Sequence, residues 1–117
     1  MNKRIVQLFL FGLLCNSLVV FSQDSIPISS DIKEEKLLKF QSYFFKALAQ
    51  KAIYNYRNAV QNLEYCNELR PNDVSVLFEL SKNYLHLNKY LESVRYAKQA
   101  LKLQPDNNWI LEHLVNV

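Results

Sequence analysis

Glycine is nearly missing from this chain: one residue in 117, Gly12. Everything after it must fold without glycine, which excludes a phosphate-cradling loop, a dinucleotide-binding turn and a glycine-flanked nucleophile elbow. Tight primed β-hairpins are disfavoured as well, because only Asn or Asp remain to take positive φ at low cost. Histidine is confined to His86 and His113, with no HExxH spacing and no cysteine pattern beside them, so no metal site is readable. Both are expected on solvent-facing or groove-lining helix positions. Carboxylates such as Glu34, Glu35, Glu64 and Glu68 are dispersed on helical faces, where pairing with nearby Lys accounts for them. The residues carry no enzyme chemistry and imply no cofactor.

An excess of charge is lacking too. The net charge is +3, but Lys3 and Arg4 stand at the N-terminus; from Asp24 onward 12 basic residues face 11 acidic ones. Without a clustered basic face, nucleic acid is not an expected partner. What is present is a hydrophobic content of 50% with seven Tyr and seven Phe, the make-up of a folded helical chain rather than a disordered one.

Residues 1–23 have the layout of a secretory signal peptide: basic Lys3 and Arg4, an apolar run Ile5–Phe21, and an exit at Val20-Phe21-Ser22. Cleavage is expected near Ser22 or Gln23. The competing reading is an uncleaved anchor, the one circumstance in which a membrane contact is expected, but the run is short and interrupted by Gln7, Asn16 and Ser17. Leu13 and Leu14 before Cys15 exclude a lipid-attachment motif. The VFSQD ending resembles exported proteins of Gram-negative bacteria, which implies a periplasmic or envelope location. After cleavage Cys66 is the only thiol, expected as a small buried hydrophobe.

Residues 24–31 read as a polar linker around Pro27. Asp31-Ile32-Lys33-Glu34 resembles a capping box opening a helix over about 32–52, with Leu37, Phe40, Phe44, Ala47 and Leu48 on one face. Tyr56 to Leu69 carries the next helical pattern, ended by Pro71. Asn72 or Asp73 caps a third helix, and a turn at Asn88-Lys89 leads into a fourth, closed by Pro105. Asp106 or Asn107 then caps a fifth, with Ile110, Leu111 and Leu114. An offset of 34 aligns Phe44/Phe78, Tyr56/Tyr90, Val60/Val94, Leu69/Leu103 and Pro71/Pro105, so the chain repeats internally.

On these residues the chain resembles a tetratricopeptide repeat (TPR) protein. Leu77, Leu80, Ser81, Tyr84, Ser93, Ala97, Ala100 and Pro105 take the motif's positions in one copy; Tyr43, Ala47, Ala59 and Pro71 take them in a more divergent one. The resemblance implies an all-α fold of stacked helical hairpins, with repeats at about 40–73 and 74–107 and a partial third at 108–117. Small residues at Ala47, Ser81, Ala59 and Ser93 let the helices of each pair approach closely. Each pair has an apolar flank that it cannot bury alone, so neighbours must stack.

The resemblance also implies a binding groove, lined by the first helix of each repeat, for a protein or peptide partner. The groove positions are Gln41, Phe44, Leu48 and Lys51, then Ser75, Phe78, Lys82 and Leu85, then Trp109 and Glu112. Phe44 and Phe78 form an aromatic rung flanked by Lys51 and Lys82, with Trp109 opening the third set. The alternative is that both phenylalanines fill the core. Phe44 and Leu48 stand where the family's carboxylate clamp needs Lys and Asn, so that variant is disfavoured. The expected function is an exported scaffold for protein or peptide binding. The alternative is the sensory part of an envelope signalling protein whose output domain follows Val117. Because the third repeat opens without a second helix, a longer repeat protein or self-association through the C-terminal edge is expected.

Overall fold

The computed structural model describes residues 28–117. Among them are five α-helices: α1 (Ile28–Ala52), α2 (Tyr56–Leu69), α3 (Val74–His86), α4 (Tyr90–Leu103) and α5 (Asn108–Asn116). The expected signal peptide over 1–23, its cleavage site and linker residues 24–27 lie outside the described residues. No described helix is long and apolar enough to cross a membrane.

The helix ends follow from side-chain chemistry. Asp73 accepts a hydrogen bond from the Val76 backbone N–H at 3.2 Å, and Asn107 accepts from those of Trp109 and Ile110 at 3.1 and 3.3 Å. These satisfy backbone donors that have no partner inside the helix. The turns closing α1 and α3 are built alike. The Asn55 N–H donates to the Gln50 carbonyl and the Tyr54 N–H to that of Lys51; 34 residues on, Lys89 donates to Tyr84 and Asn88 to Leu85. Such a closure needs a left-handed residue. In place of glycine stand Asn88, with φ of 60°, and Tyr54, with φ of 62°.

One expectation is corrected at the first helix. It begins at Ile28, so residues 28–31, assigned to the linker, are helical, and Asp31 sits in the first turn instead of capping it. The serines and Pro27 favour a loop reading of this stretch. A proline just ahead of a helix is compatible with its start, where the missing N–H costs nothing.

Residues Ile32–Val117 form one packed unit. Its helices lie in two rows. Contacts between Lys51 and Glu79, then between Ser81 and His113, align α1, α3 and α5. A bond from Tyr96 to Glu64 joins α2 to α4 in the second row. Within the first hairpin, the Cys66 thiol donates to the Phe40 carbonyl at 3.6 Å, and the Tyr43 and Tyr65 rings meet at 5.0 Å. The small residues Ala47, Ala59, Ser81 and Ser93 are all buried, as a close crossing requires. Val76, Leu77, Leu80 and Ile110 complete the core with Leu63. Cys66 is buried among them, and burial, with a smaller contribution from Asp73, pushes its thiol up to about 11. It is the inert small hydrophobe that its surroundings in the sequence suggest.

Candidate functional site

The row α1–α3–α5 carries the expected groove residues. Phe44 is half-buried, stacked on Phe40 with ring centroids 6.1 Å apart and an interplanar angle of 8°. Phe78 is also half-buried and meets the His113 ring edge-on at 5.4 Å. Both pack against the core cluster while remaining only partly buried. Gln41, Leu48, Ser75 and Glu112 are exposed, and Leu85 is half-buried.

The two lysines do not stand free. Lys51 donates to Glu79 at 2.9 Å and Lys82 donates to the other Glu79 oxygen, while the Lys82 ammonium lies 4.6 Å from the Phe78 ring centre. Glu79 is the residue that sequence reasoning passed over. Its side chain is 15% exposed. Burial pushes its carboxyl up, but the hydrogen bonds and charges of Lys82 and Lys51 outweigh this and hold it below the ordinary carboxylate value. One anion between two cations leaves a local excess of one positive charge beside the aromatic rung. Only the i,i+3 spacing of Glu79 and Lys82 signalled this arrangement, and it did not reveal Lys51, 28 residues away.

Trp109 is set apart from the rest. It is 73% exposed and borders a shallow depression with residues 104–108 at the start of α5, whereas α5 reaches Phe78 through His113. The structure thus brings Phe78, Lys51 and Lys82 to one acidic hub and leaves Trp109 outside it.

His113 is half-buried between helices rather than facing solvent, and its protons can be placed by counting. The Ser81 hydroxyl lies 2.6 Å from the Ser93 carbonyl, and the Ser93 hydroxyl lies 2.8 Å from the Ser81 carbonyl. Each hydroxyl has one proton, and each is used there. The 2.7 Å contact between Ser81 Oγ and His113 Nε2 is therefore a bond donated by the ring. Burial first, then the charge of Lys82, lowers the His113 pKa, which favours the neutral ring. The serines that the motif accepts as small residues act here as polar clasps.

A second hub lies at the junction of the rows. Glu64 Oε1 accepts from Tyr84 at 3.0 Å and from Tyr96 at 2.8 Å, and the two rings stack at 5.6 Å. Burial and the Glu64 carboxylate push the Tyr96 hydroxyl up to about 12 and that of Tyr84 higher still. Both phenols stay protonated donors, a structural arrangement rather than a catalytic one.

Comparison with known proteins agrees with this geometry. Residues 74–107 match the tetratricopeptide repeat family model, which covers α3 and α4. A tetratricopeptide repeat is therefore present, and the described residues form helical hairpins; such repeats generally mediate protein–protein interaction and are typically non-enzymatic. The chain is similar to sperm-associated antigen 1 of Rattus norvegicus, 30% identical over 67 residues, which are 57% of this chain and 8% of that protein. It is similar to the Mus musculus protein of the same name at 30% over 67 residues, or 7% of that protein. The chain thus spans less than a tenth of the length of these relatives.

Proposed function

We propose that this chain is a non-enzymatic scaffold, exported to the envelope of a Gram-negative bacterium, that holds a protein or peptide partner along α1 and α3. The observation that carries the reading is half-exposed Phe78 beside the Lys51–Glu79–Lys82 cluster, with half-exposed Phe44 on α1. The rings offer an apolar edge and the cluster offers polar groups that exchange partners without leaving a charge alone. Tetratricopeptide repeats serve such ends, and the sequence of residues 1–23 supports the exported setting. Exposed Trp109 and Val115 on α5 add self-association to the same proposal.

One experiment addresses site and compartment together. A photo-crosslinking phenylalanine analogue replaces Phe44, Phe78 or, as a control on an exposed α2 position, Arg57. After irradiation in cells, envelope fractions are resolved and the chain's mass is measured in each adduct. The expected result is a discrete adduct from positions 44 and 78, absent at 57, on a chain that lacks its first 22 or 23 residues. A cytosolic chain retaining Met1, or equal labelling at all three positions, refutes the reading.

A further inference from the structure

The repeat itself does not account for the first part of α1. The equivalent of Val74, where α3 begins, is Phe40, yet α1 starts at Ile28. Residues 31–39 are all exposed and add nothing to the core. Where this extension passes the end of α2, it forms one wall of a cleft of about 170 Å³ lined by Lys33, Lys36, Leu37, Phe40, Leu69 and Arg70. Leu37, Phe40 and Leu69 supply an apolar floor. Three cations stand around it, and no carboxylate lines it.

The cations differ in how far they are committed. Among the described residues, Lys33 and Lys36 have no ion-pair or hydrogen-bond partner, unlike Lys39 on the same helix, which pairs with Glu35 at 2.8 Å. Arg70 lies over the Phe40 ring at 4.3 Å and reaches Asp73 only at 3.7 Å. Its guanidinium is thus held in place by stacking, with most of its hydrogen-bonding capacity unused. The full set has no counterpart 34 residues on: Asn67 and Gln104 stand at the positions equivalent to Lys33 and Arg70, and only Lys36 maps onto a cation, Arg70.

We propose that this cleft binds a short acidic segment of a partner polypeptide, with an apolar side chain on the Leu37–Phe40–Leu69 floor and carboxylates at Lys33, Lys36 and Arg70. Charge complementarity selects this occupant over an anionic membrane. Residues 31–39 carry three basic and three acidic side chains, so a broad anionic plane gains no net attraction. A single carboxylate entering the cleft meets three cations and no carboxylate in its lining. The site lies away from the Lys51–Glu79–Lys82 cluster. It rests on the scaffold reading only for the polypeptide nature of its partner.

The test uses the full chain and a fluorescein-labelled peptide, Asp-Asp-Leu-Phe-Asp, followed by anisotropy at low salt. Its Asn-Asn-Leu-Phe-Asn counterpart and vesicles of phosphatidylglycerol and phosphatidylcholine serve as comparisons. Saturable binding of the acidic peptide is expected, weakened about tenfold or more by Lys33→Glu with Lys36→Glu and by the Asn replacements. Both lysines are exposed and unpaired, so circular dichroism should show an unchanged helix content. A second variant, Lys51→Gln with Glu79→Gln and Lys82→Gln, neutralises the other cluster without leaving a lone charge and should bind the peptide as well as wild type. Absence of saturable peptide binding, equal binding by the Lys33/Lys36 variant, or loss confined to the Gln variant overturns the proposal. Vesicle binding that the Lys33/Lys36 variant loses, without peptide binding, overturns it in favour of a membrane surface.

Discussion

Replacing Glu79 by Gln isolates the charge at the hub between α1 and α3 while keeping its shape. Glu79 is 15% exposed, and its lysine partners Lys51 and Lys82 are 31% and 29% exposed, so these pairs are screened less than open surface pairs. Hydrogen bonds to a charged group contribute about 1.5–3 kcal/mol each when intact. The amide oxygen keeps one weakened bond, and removing the charge relieves part of the desolvation cost. The expected net loss is about 1–2 kcal/mol at pH 7, which in a domain of this size lowers the melting temperature by roughly 4–8 °C per kcal/mol. The pH dependence gives a stricter check. Because the folded carboxyl lies below its ordinary value of 4.5, its contribution is complete above that value and is lost as pH falls through the folded value. Urea melts of wild type and variant should therefore differ at pH 7 and converge under acid conditions below the folded value. Equal stability at pH 7, or a deficit that persists unchanged into acid, would refute the assignment of a charged hub.

Two further outcomes are expected. Tyr54 holds the left-handed position that Asn88 holds in the next turn, so Tyr54→Asn should stabilise the protein by about 1 kcal/mol, read as a higher urea midpoint; no gain would mean that the turn carries no strain. His113, faced by Phe78, Ser81 and Lys82, has its pKa lowered from 6.5, so its stabilising effect is present above that value and is lost as pH falls through the folded value. His113→Gln keeps a donor for Ser81 and should flatten the fall in stability between pH 7 and 5; an unchanged slope would place the titration elsewhere.

The elements that the sequence reveals are those set by local rules. The caps at Asp73 and Asn107 and the small residues at Ala47, Ala59, Ser81 and Ser93 depend on spacing along one chain, and the 34-residue offset exposes them. The positions of Phe44 and Phe78 on α1 and α3 are legible for the same reason. Glu79 is not, since its meeting with Lys51 depends on how α1 and α3 are rotated against each other. Ser81 is readable as small but not as a donor and acceptor, because that role needs Ser93 across the hairpin and His113 on α5. Tyr54 defeats residue preference altogether. Only its register with Asn88 marks it as left-handed.

The crossed Ser81–Ser93 bonds have a mechanical consequence. Each hydroxyl grips the other helix's main chain, so α3 and α4 cannot slide past one another without breaking both links. Between the two hairpins the described polar links run instead through side-chain tips, Lys51 to Glu79 and both Tyr84 and Tyr96 to Glu64. A long lysine can swing and keep its partner; a serine clamped to a carbonyl cannot. The second hairpin should therefore behave as a stiff beam, with compliance gathered at the joints between hairpins. A partner seated across Phe44 and Phe78 would span such a joint and brace it.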